Sequence, residues 1–440
     1  MINKIKLSAC AMILGVSGFA QEVEFTEYDL DNGLHVILHQ DKTAPVVSTS
    51  VMYHVGGKDL KNNKTGFAHF FEHLLFEGTE NIPKGTFMST ISSNGGTFNA
   101  TTSLDRTYYY ETFSSNKLEL GLWLESERML HPKIDQSGVD TQNEVVKEER
   151  RRSYDNRPYG NLLSVIQSNL FEKHPYKDPN IGYMDDLDAA ELKEFNEYFD
   201  EFYGPNNATL VVAGDIDIEK TKSLIEDYFG PIPTGKEVNR SLIEEKPLAS
   251  VKRDTFYDAN IQIPASILAW RTPSMKEKDA YVLNMISTLL SEGRSSRLYK
   301  KLVDDQKQAL EVAAFHLPLE DYGMYAIFAI PLGDASLNTL NEEIDEEILK
   351  LQNTLISDRE FQKLQNTFEN RFVNANSSVS GIAESLATYN VLFENTNLIN
   401  KEIEIYRSIT PKDVQRVANE YLKLDARAIL SYLPKTDDVK

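Results

Sequence analysis

Between Gly66 and Gly78 the chain reads Gly66-Phe67-Ala68-His69-Phe70-Phe71-Glu72-His73-Leu74-Leu75-Phe76-Glu77-Gly78. The spacing predicts a short helix, with Gly78 as a left-handed C-terminal cap. At about 100° per residue, His69, Glu72 and His73 share one side, and Phe67, Phe70, Phe71, Leu74 and Leu75 take the other. Two imidazoles one turn apart can grip a single metal ion, and a carboxylate between them can handle a proton of water. His35 and His39 are also four residues apart, but they lie in the apolar run Leu34-His35-Val36-Ile37-Leu38-His39 after Asn32-Gly33, which reads as a strand. There a four-residue gap spans about 13 Å, too far for one ion.

Two histidines leave a catalytic zinc one protein ligand short. The charged run Asp140–Ser153 reads as a helix laced with ion pairs. Val145 and Val146 mark its buried stripe, and the helical wheel places Gln142 and Glu149 inside that stripe and Glu144 and Glu148 outside it. A carboxylate turned toward a core needs a cation or metal for company. Glu149 is therefore the expected third ligand, with Glu148 as the alternative.

The bulk properties narrow the rest. Met1–Lys6 is basic, residues 7–19 are mostly apolar, and Gly18-Phe19-Ala20 precedes Gln21 as a small-residue cleavage site, which predicts a secretory signal over 1–20 and a periplasmic destination. The only cysteine, Cys10, lies inside that segment, in a Leu7-Ser8-Ala9-Cys10 box that offers lipid anchoring as the less favoured alternative. Removal after Ala20 would leave no thiol for disulfides, for metal binding or for a cysteine nucleophile. No stretch reaches the roughly 18 apolar residues of a membrane span. A net charge of -21 over 440 residues argues against nucleic acid as a partner.

Along the chain, strands are predicted from Glu22 to Val55 around an Asp31-Asn32-Gly33 turn, and a strand pair at Thr97–Thr102 and Thr107–Phe113. Helices follow at Leu118–Leu130, Leu162–Phe171 and Ala189–Phe202. The apolar run Ala208–Asp215 reads as a strand buried on both faces, and Ile218–Phe229 as a helix. Residues 236–245 form a linker between an expected first domain, 21–235, and a second, 246–440. The second part repeats the plan: a strand at Ile261–Trp270, helices at Glu277–Leu290 and Ser291–Val303, two strands, then helices at Leu337–Ile356 and Asp358–Asn374. Glu277–Leu290 occupies the place of the metal helix without a histidine. Asn419-Glu420-Tyr421 before Ala426–Leu433 echoes Asn196-Glu197-Tyr198 before Ala208–Ala213, a duplication with a period of about 220.

H-x-x-E-H is the inverted form of H-E-x-x-H. With Asn99-Ala100-Thr101-Thr102, Asp105-Arg106-Thr107-Tyr108, the Glu149 helix, Tyr203-Gly204-Pro205-Asn206-Asn207-Ala208 and Gly293-Arg294-Ser295-Ser296-Arg297-Leu298-Tyr299, it makes the chain resemble the pitrilysin-type (inverzincin) metallopeptidases. These include insulin-degrading enzyme and mitochondrial processing peptidase, and the likeness is greatest to short bacterial members with one active and one degenerate half. The resemblance implies an α+β fold of two similar αβ domains with mixed sheets, facing each other like a clamshell. It implies one zinc per chain on His69, His73 and Glu149, Glu72 as general base, and Asn99 and Ala100 on an edge strand that pairs with an extended peptide substrate. Many relatives carry a glutamate where this chain has Gln142, which can still hydrogen-bond around the ligands but brings no charge. The family's second half often supplies an arginine and a tyrosine to hold substrate; the best register places Asp304 and Glu311 there, with Arg297 nearby but out of register. That implies a homodimer, or a heterodimer with a related subunit supplying the clamp. The function implied is zinc-dependent endopeptidase, and the alternative is a non-catalytic assembly subunit of the same fold.

Overall fold

The computed structural model describes residues 22–435, so the expected signal segment and Cys10 lie outside the described residues. The first six strands are β1 (Thr26–Asp29), β2 (His35–Gln40), β3 (Val46–Tyr53), β4 (Thr97–Thr102), β5 (Thr107–Ser114) and β6 (Ala208–Gly214). They form one sheet in the order β1-β2-β6-β3-β5-β4. Asn32-Gly33 makes the turn into β2, with Gly33 at φ 89°, a conformation that suits glycine. The helices of this stretch are α1 (Phe67–Leu74), α2 (Phe87–Ser93), α3 (Leu118–Leu130), α4 (Gln136–Arg150), α5 (Leu162–Leu170), α6 (Met184–Asp188), α7 (Leu192–Phe202) and α8 (Ile218–Phe229).

The second sheet has the order β7-β11-β8-β10-β9. Its strands are β7 (Lys252–Asp258), β8 (Ala265–Thr272), β9 (Ala309–Leu317), β10 (Gly323–Pro331) and β11 (Ala428–Pro434). Its helices are α9 (Lys278–Ser291), α10 (Leu337–Asn353), α11 (Asp358–Ala375), α12 (Val379–Phe393), α13 (Leu398–Arg407) and α14 (Pro411–Tyr421). The wiring repeats that of β2-β6-β3-β5-β4. Within this shared five-strand order the first pair, β2/β6 or β7/β11, is parallel. Every later pair is antiparallel.

Three expectations from the sequence are corrected here. Gly293, at φ 76°, interrupts the helix expected over Ser291–Val303, and a wider π-helix covers Tyr299–Asp305 instead. The expected strand at Ile261 begins at Ala265, after Pro264. β7 was not expected: Lys-Arg-Asp-Thr-Phe-Tyr-Asp lacks alternation because the strand is an edge with most side chains exposed.

Each sheet is covered on its second face by a helix from the other half of the chain. Ile382, Ala383, Leu386 and Ala387 of α12 pack with Ile37, Met52, Tyr108 and Val211 on the back of the first sheet. Val165, Ile166 and Leu170 of α5 pack with Ile267, Ala269, Ala326 and Leu430 of the second. Burying a leucine or isoleucine this way contributes about 1.5–3 kcal/mol, so the exchange binds the halves together. A buried ionic junction adds to it. Lys58 Nζ lies 3.1 Å from Asp105, 2.8 Å from Glu320 and 3.2 Å from Asp321, while His54 reaches Glu320 at 2.8 Å and His174 reaches Asp321 at 3.1 Å. Glu320 and Asp321 sit in the turn between β9 and β10. Among the described residues, no helix is long and apolar enough to cross a membrane.

Candidate metal centre

The apolar side of α1 fixes its orientation. Phe67, Phe70 and Phe71 are buried, with ring centroids of Phe67 and Phe70 at 4.9 and 4.5 Å from Phe195 and that of Phe71 at 5.0 Å from Tyr203. The Tyr109 hydroxyl donates to the Phe71 carbonyl at 3.0 Å. Gly66, at φ 85°, opens the helix against Gly182, and a Cβ on Gly66 would come within 2.9 Å of the Gly182 Cα. The helix ends at Leu74, with the Leu75 N–H bonded to the Phe71 carbonyl at 3.0 Å. Gly78 is therefore not its cap. It serves the following loop, where an added Cβ would meet the Ile82 carbonyl at 2.7 Å.

α4 lies against α1. Asp135 caps it by accepting the Gly138 N–H at 2.8 Å, and Val139 and Val146 are its buried apolar side chains. Val145 is exposed, so the stripe expected from Val145 and Val146 is only half present. The face that turns toward α1 runs Val139, Gln142, Val146, Glu149, at alternating three- and four-residue steps. Glu149 Oε2 lies 3.1 Å from His73 Nε2 and Oε1 lies 3.6 Å from His69 Nε2. Ligand atoms of His69, His73 and Glu149 all lie within 4.8 Å of one another. The imidazoles of His69 and His73 hold the Glu149 carboxyl well below the usual carboxylate range. Glu148 instead pairs with Arg151 at 3.1 Å on the exposed side. Two imidazole nitrogens and a carboxylate suit zinc held by three protein donors with a fourth position open. The Nδ1 of His69 is buried without a hydrogen-bond partner.

Glu72, on the same face of α1, accepts a hydrogen bond from Thr102 Oγ1 at 2.6 Å. The sequence carries no direct signal for this role of Thr102, although strand alternation puts it on the same face as Ala100. β4, which carries Asn99, Ala100 and Thr102, is an edge strand paired only to β5 among the described strands. Ala100 is buried and Asn99 is exposed, so the two point to opposite faces. Gln142 donates to Glu77, and its own Oε1 is buried without a partner. Its amide thus reaches the loop after α1 and not a histidine.

The same arrangement exists in the second half with other side chains. Leu74-Leu75-Phe76-Glu77-Gly78 has its counterpart in Leu289-Leu290-Ser291-Glu292-Gly293, which sets Asn284, Ser287 and Thr288 against His69, Glu72 and His73. Arg371 stands as far along α11 as Glu149 stands along α4, and it donates to Thr288 Oγ1 at 3.2 Å. Its guanidinium also pairs with Glu292. Asp304 lies 4.0 Å from Arg294, Glu311 is exposed on the edge strand β9, and Arg297 pairs with Glu360 at 2.8 Å.

Residues 35–182 match the family model described as Insulinase (Peptidase family M16), and residues 189–368 match that described as Peptidase M16 inactive domain. The zinc protease PqqE of Helicobacter pylori is 29% identical over 94% of this chain and 95% of its own length. The crystal structure of a protease from Helicobacter pylori superposes with a TM-score of 0.89 at 28% identity, covering 94% of this chain and 100% of that one. At 16% identity, a peptidase M16 inactive domain from Pseudomonas fluorescens shares the fold alone, with a TM-score of 0.83 over 94% of this chain and 98% of that one. Both halves of the chain, in their proper order, thus belong to the pitrilysin-type M16 metallopeptidase family.

Proposed function

We propose that this chain is a zinc-dependent endopeptidase acting on peptides or unfolded polypeptides. The observation that carries the reading is the convergence of His69, His73 and Glu149 ligand atoms within 4.8 Å, with Glu72 on the same helix face. His69, His73 and Glu149 would hold one zinc ion, which when bound supplies Lewis acidity and a water acidified to near neutral pH. Glu72, steadied by Thr102, takes a proton from the attacking water and delivers it to the leaving amine. The free edge of β4 aligns an extended substrate by backbone pairing, which demands little of its sequence. Gln142 steadies the loop after α1 through Glu77.

Residues 21–235 and 246–440 are the two units of this enzyme in our reading, each lending one helix to the other's sheet. Asp304 and Glu311 offer no cationic clamp for substrate, which favours a dimer with a second copy or a related subunit. The signal segment favours export to the periplasm. The test is hydrolysis of casein and of a quenched-peptide panel by the protein purified with whatever subunit co-elutes. Activity should vanish with 1,10-phenanthroline and return with zinc. Hydrolysis indifferent to chelation would sink the metallopeptidase reading, and a zinc-loaded protein inert toward the whole panel would favour an assembly role.

A further inference from the structure

Between α9, α12 and α13 lies a cavity of about 380 Å³, within the range of small-ligand sites. It continues past Tyr389 and Glu402 into a neighbouring cavity of about 680 Å³. Tyr281, Tyr389 and Phe393 supply aromatic walls, and Tyr406 adds another on the side shared with the larger cavity. The Tyr281 and Tyr406 rings meet edge to face at 5.2 Å and 78°. Glu402 accepts a hydrogen bond from the Tyr389 hydroxyl at 2.8 Å. Among the described residues it has no ion-pair partner within 4.0 Å, and burial pushes its carboxyl up. A carboxylate in such a place lacks the cation that would offset its desolvation.

The metal-donor cluster among the described residues is that of His69, His73 and Glu149, and Glu402 belongs to no such group. A hard cation needs several oxygen ligands, whereas the wall beside Glu402 includes the rings of Tyr281, Tyr389 and Tyr406, with Glu384, Ser385 and Thr388 also lining the smaller cavity. Ring faces attract ammonium groups, and a carboxylate among them supplies the counter-charge. The guanidinium of Arg371 is occupied by Glu292 and Thr288, which disfavours an anionic occupant. We propose that this cavity binds a small organic cation, an amine or a quaternary ammonium, with Glu402 as its counter-charge and Tyr281, Tyr389 and Tyr406 as its aromatic walls.

The experiment is calorimetric titration of the purified protein with choline, with n-butylamine and with the neutral isostere 3,3-dimethyl-1-butanol. At least one of the two cations should bind saturably and the alcohol should not; choline above butylamine would mark a quaternary site, and the reverse a primary-amine site. Glu402→Gln should weaken cation binding at least about tenfold. In case that variant does not fold, hydrogen exchange on the unaltered protein gives an independent reading: the bound cation should protect α9, α12 and α13 above all other helices. Binding of the alcohol as tight as that of the cations, no binding of either cation, an unweakened Glu402→Gln, or protection elsewhere would overturn the proposal.

Discussion

α1 with α4, and α9 with α11, are the same pair of helices laid on the same wiring of five strands, yet they hold different side chains at their meeting point. In the first pair His69, His73 and Glu149 converge; in the second, Asn284, Thr288 and Arg371 stand in their places. The contact between helices survives in both, carboxylate to imidazole in one and guanidinium to hydroxyl in the other. Apolar packing thus preserves a scaffold independently of the few polar groups that give it chemistry. The layers beneath the two sites differ as well. In the second half the matching helix, α10, buries Leu340, Ile344 and Ile348. The first rests on a fully buried ion cluster: Arg128 lies 2.9 Å from Glu111 and 3.3 Å from Glu125, and its guanidinium stacks at 4.4, 4.6 and 4.3 Å from the rings of Phe76, Phe87 and Tyr109.

Matched substitutions in the two halves can break this comparison. His73→Ala should release zinc and all hydrolysis, while Thr288→Ala should leave the metal content unchanged; elemental analysis of both variants decides it. Glu72→Gln should keep the zinc and lower kcat by about 10²–10⁴-fold, whereas Ser287→Ala should change it less than about twofold. Steady-state kinetics with one quenched peptide would reveal a dependence on the second half, and equal losses would mean that both sites take part.

Smaller effects sharpen the contrast between the layers. Arg128→Met leaves Glu111 and Glu125 buried without their cation and should cost about 3–5 kcal/mol, read as a lowered urea midpoint. A stability close to that of the unaltered protein would show that Glu111 does not need the cation, in line with the upward push that burial and Glu125 exert on it.

The smallest effect concerns the junction between the halves. Burial works against ionised Glu320, but the hydrogen bond with His54 and the charge of Lys58 prevail and lower its carboxyl to about 2. Because the folded value lies below the ordinary one, this contribution is present above the ordinary carboxylate range and is lost as pH falls toward about 2. Thermal melts between pH 5 and 2 should therefore show Glu320→Gln losing less of its stability than the unaltered chain, as order-of-magnitude linkage requires. Parallel melting curves would remove Glu320 from the junction.

What local order alone determines, the sequence determined. His69, Glu72 and His73 share a face because a helix repeats every 3.6 residues, and Ala208–Gly214 is a buried strand because its side chains are almost all apolar. The doubled plan was equally legible, since packing patterns recur even where chemistry does not. Other features depend on residues far apart in the chain. Glu149, not Glu148, faces the imidazoles through the approach of α4 to α1, and the exposed Val145 shows that the local apolar pattern was an unreliable guide. α12 and α13 carry no clear local signal. The first of them leaves only Glu384 exposed because it is buried against a sheet built from the other half of the chain, and no periodicity within the helix names that partner. Tertiary structure decided those matters because burial is a property of contacts, and contacts between distant segments are not written in the order of either one.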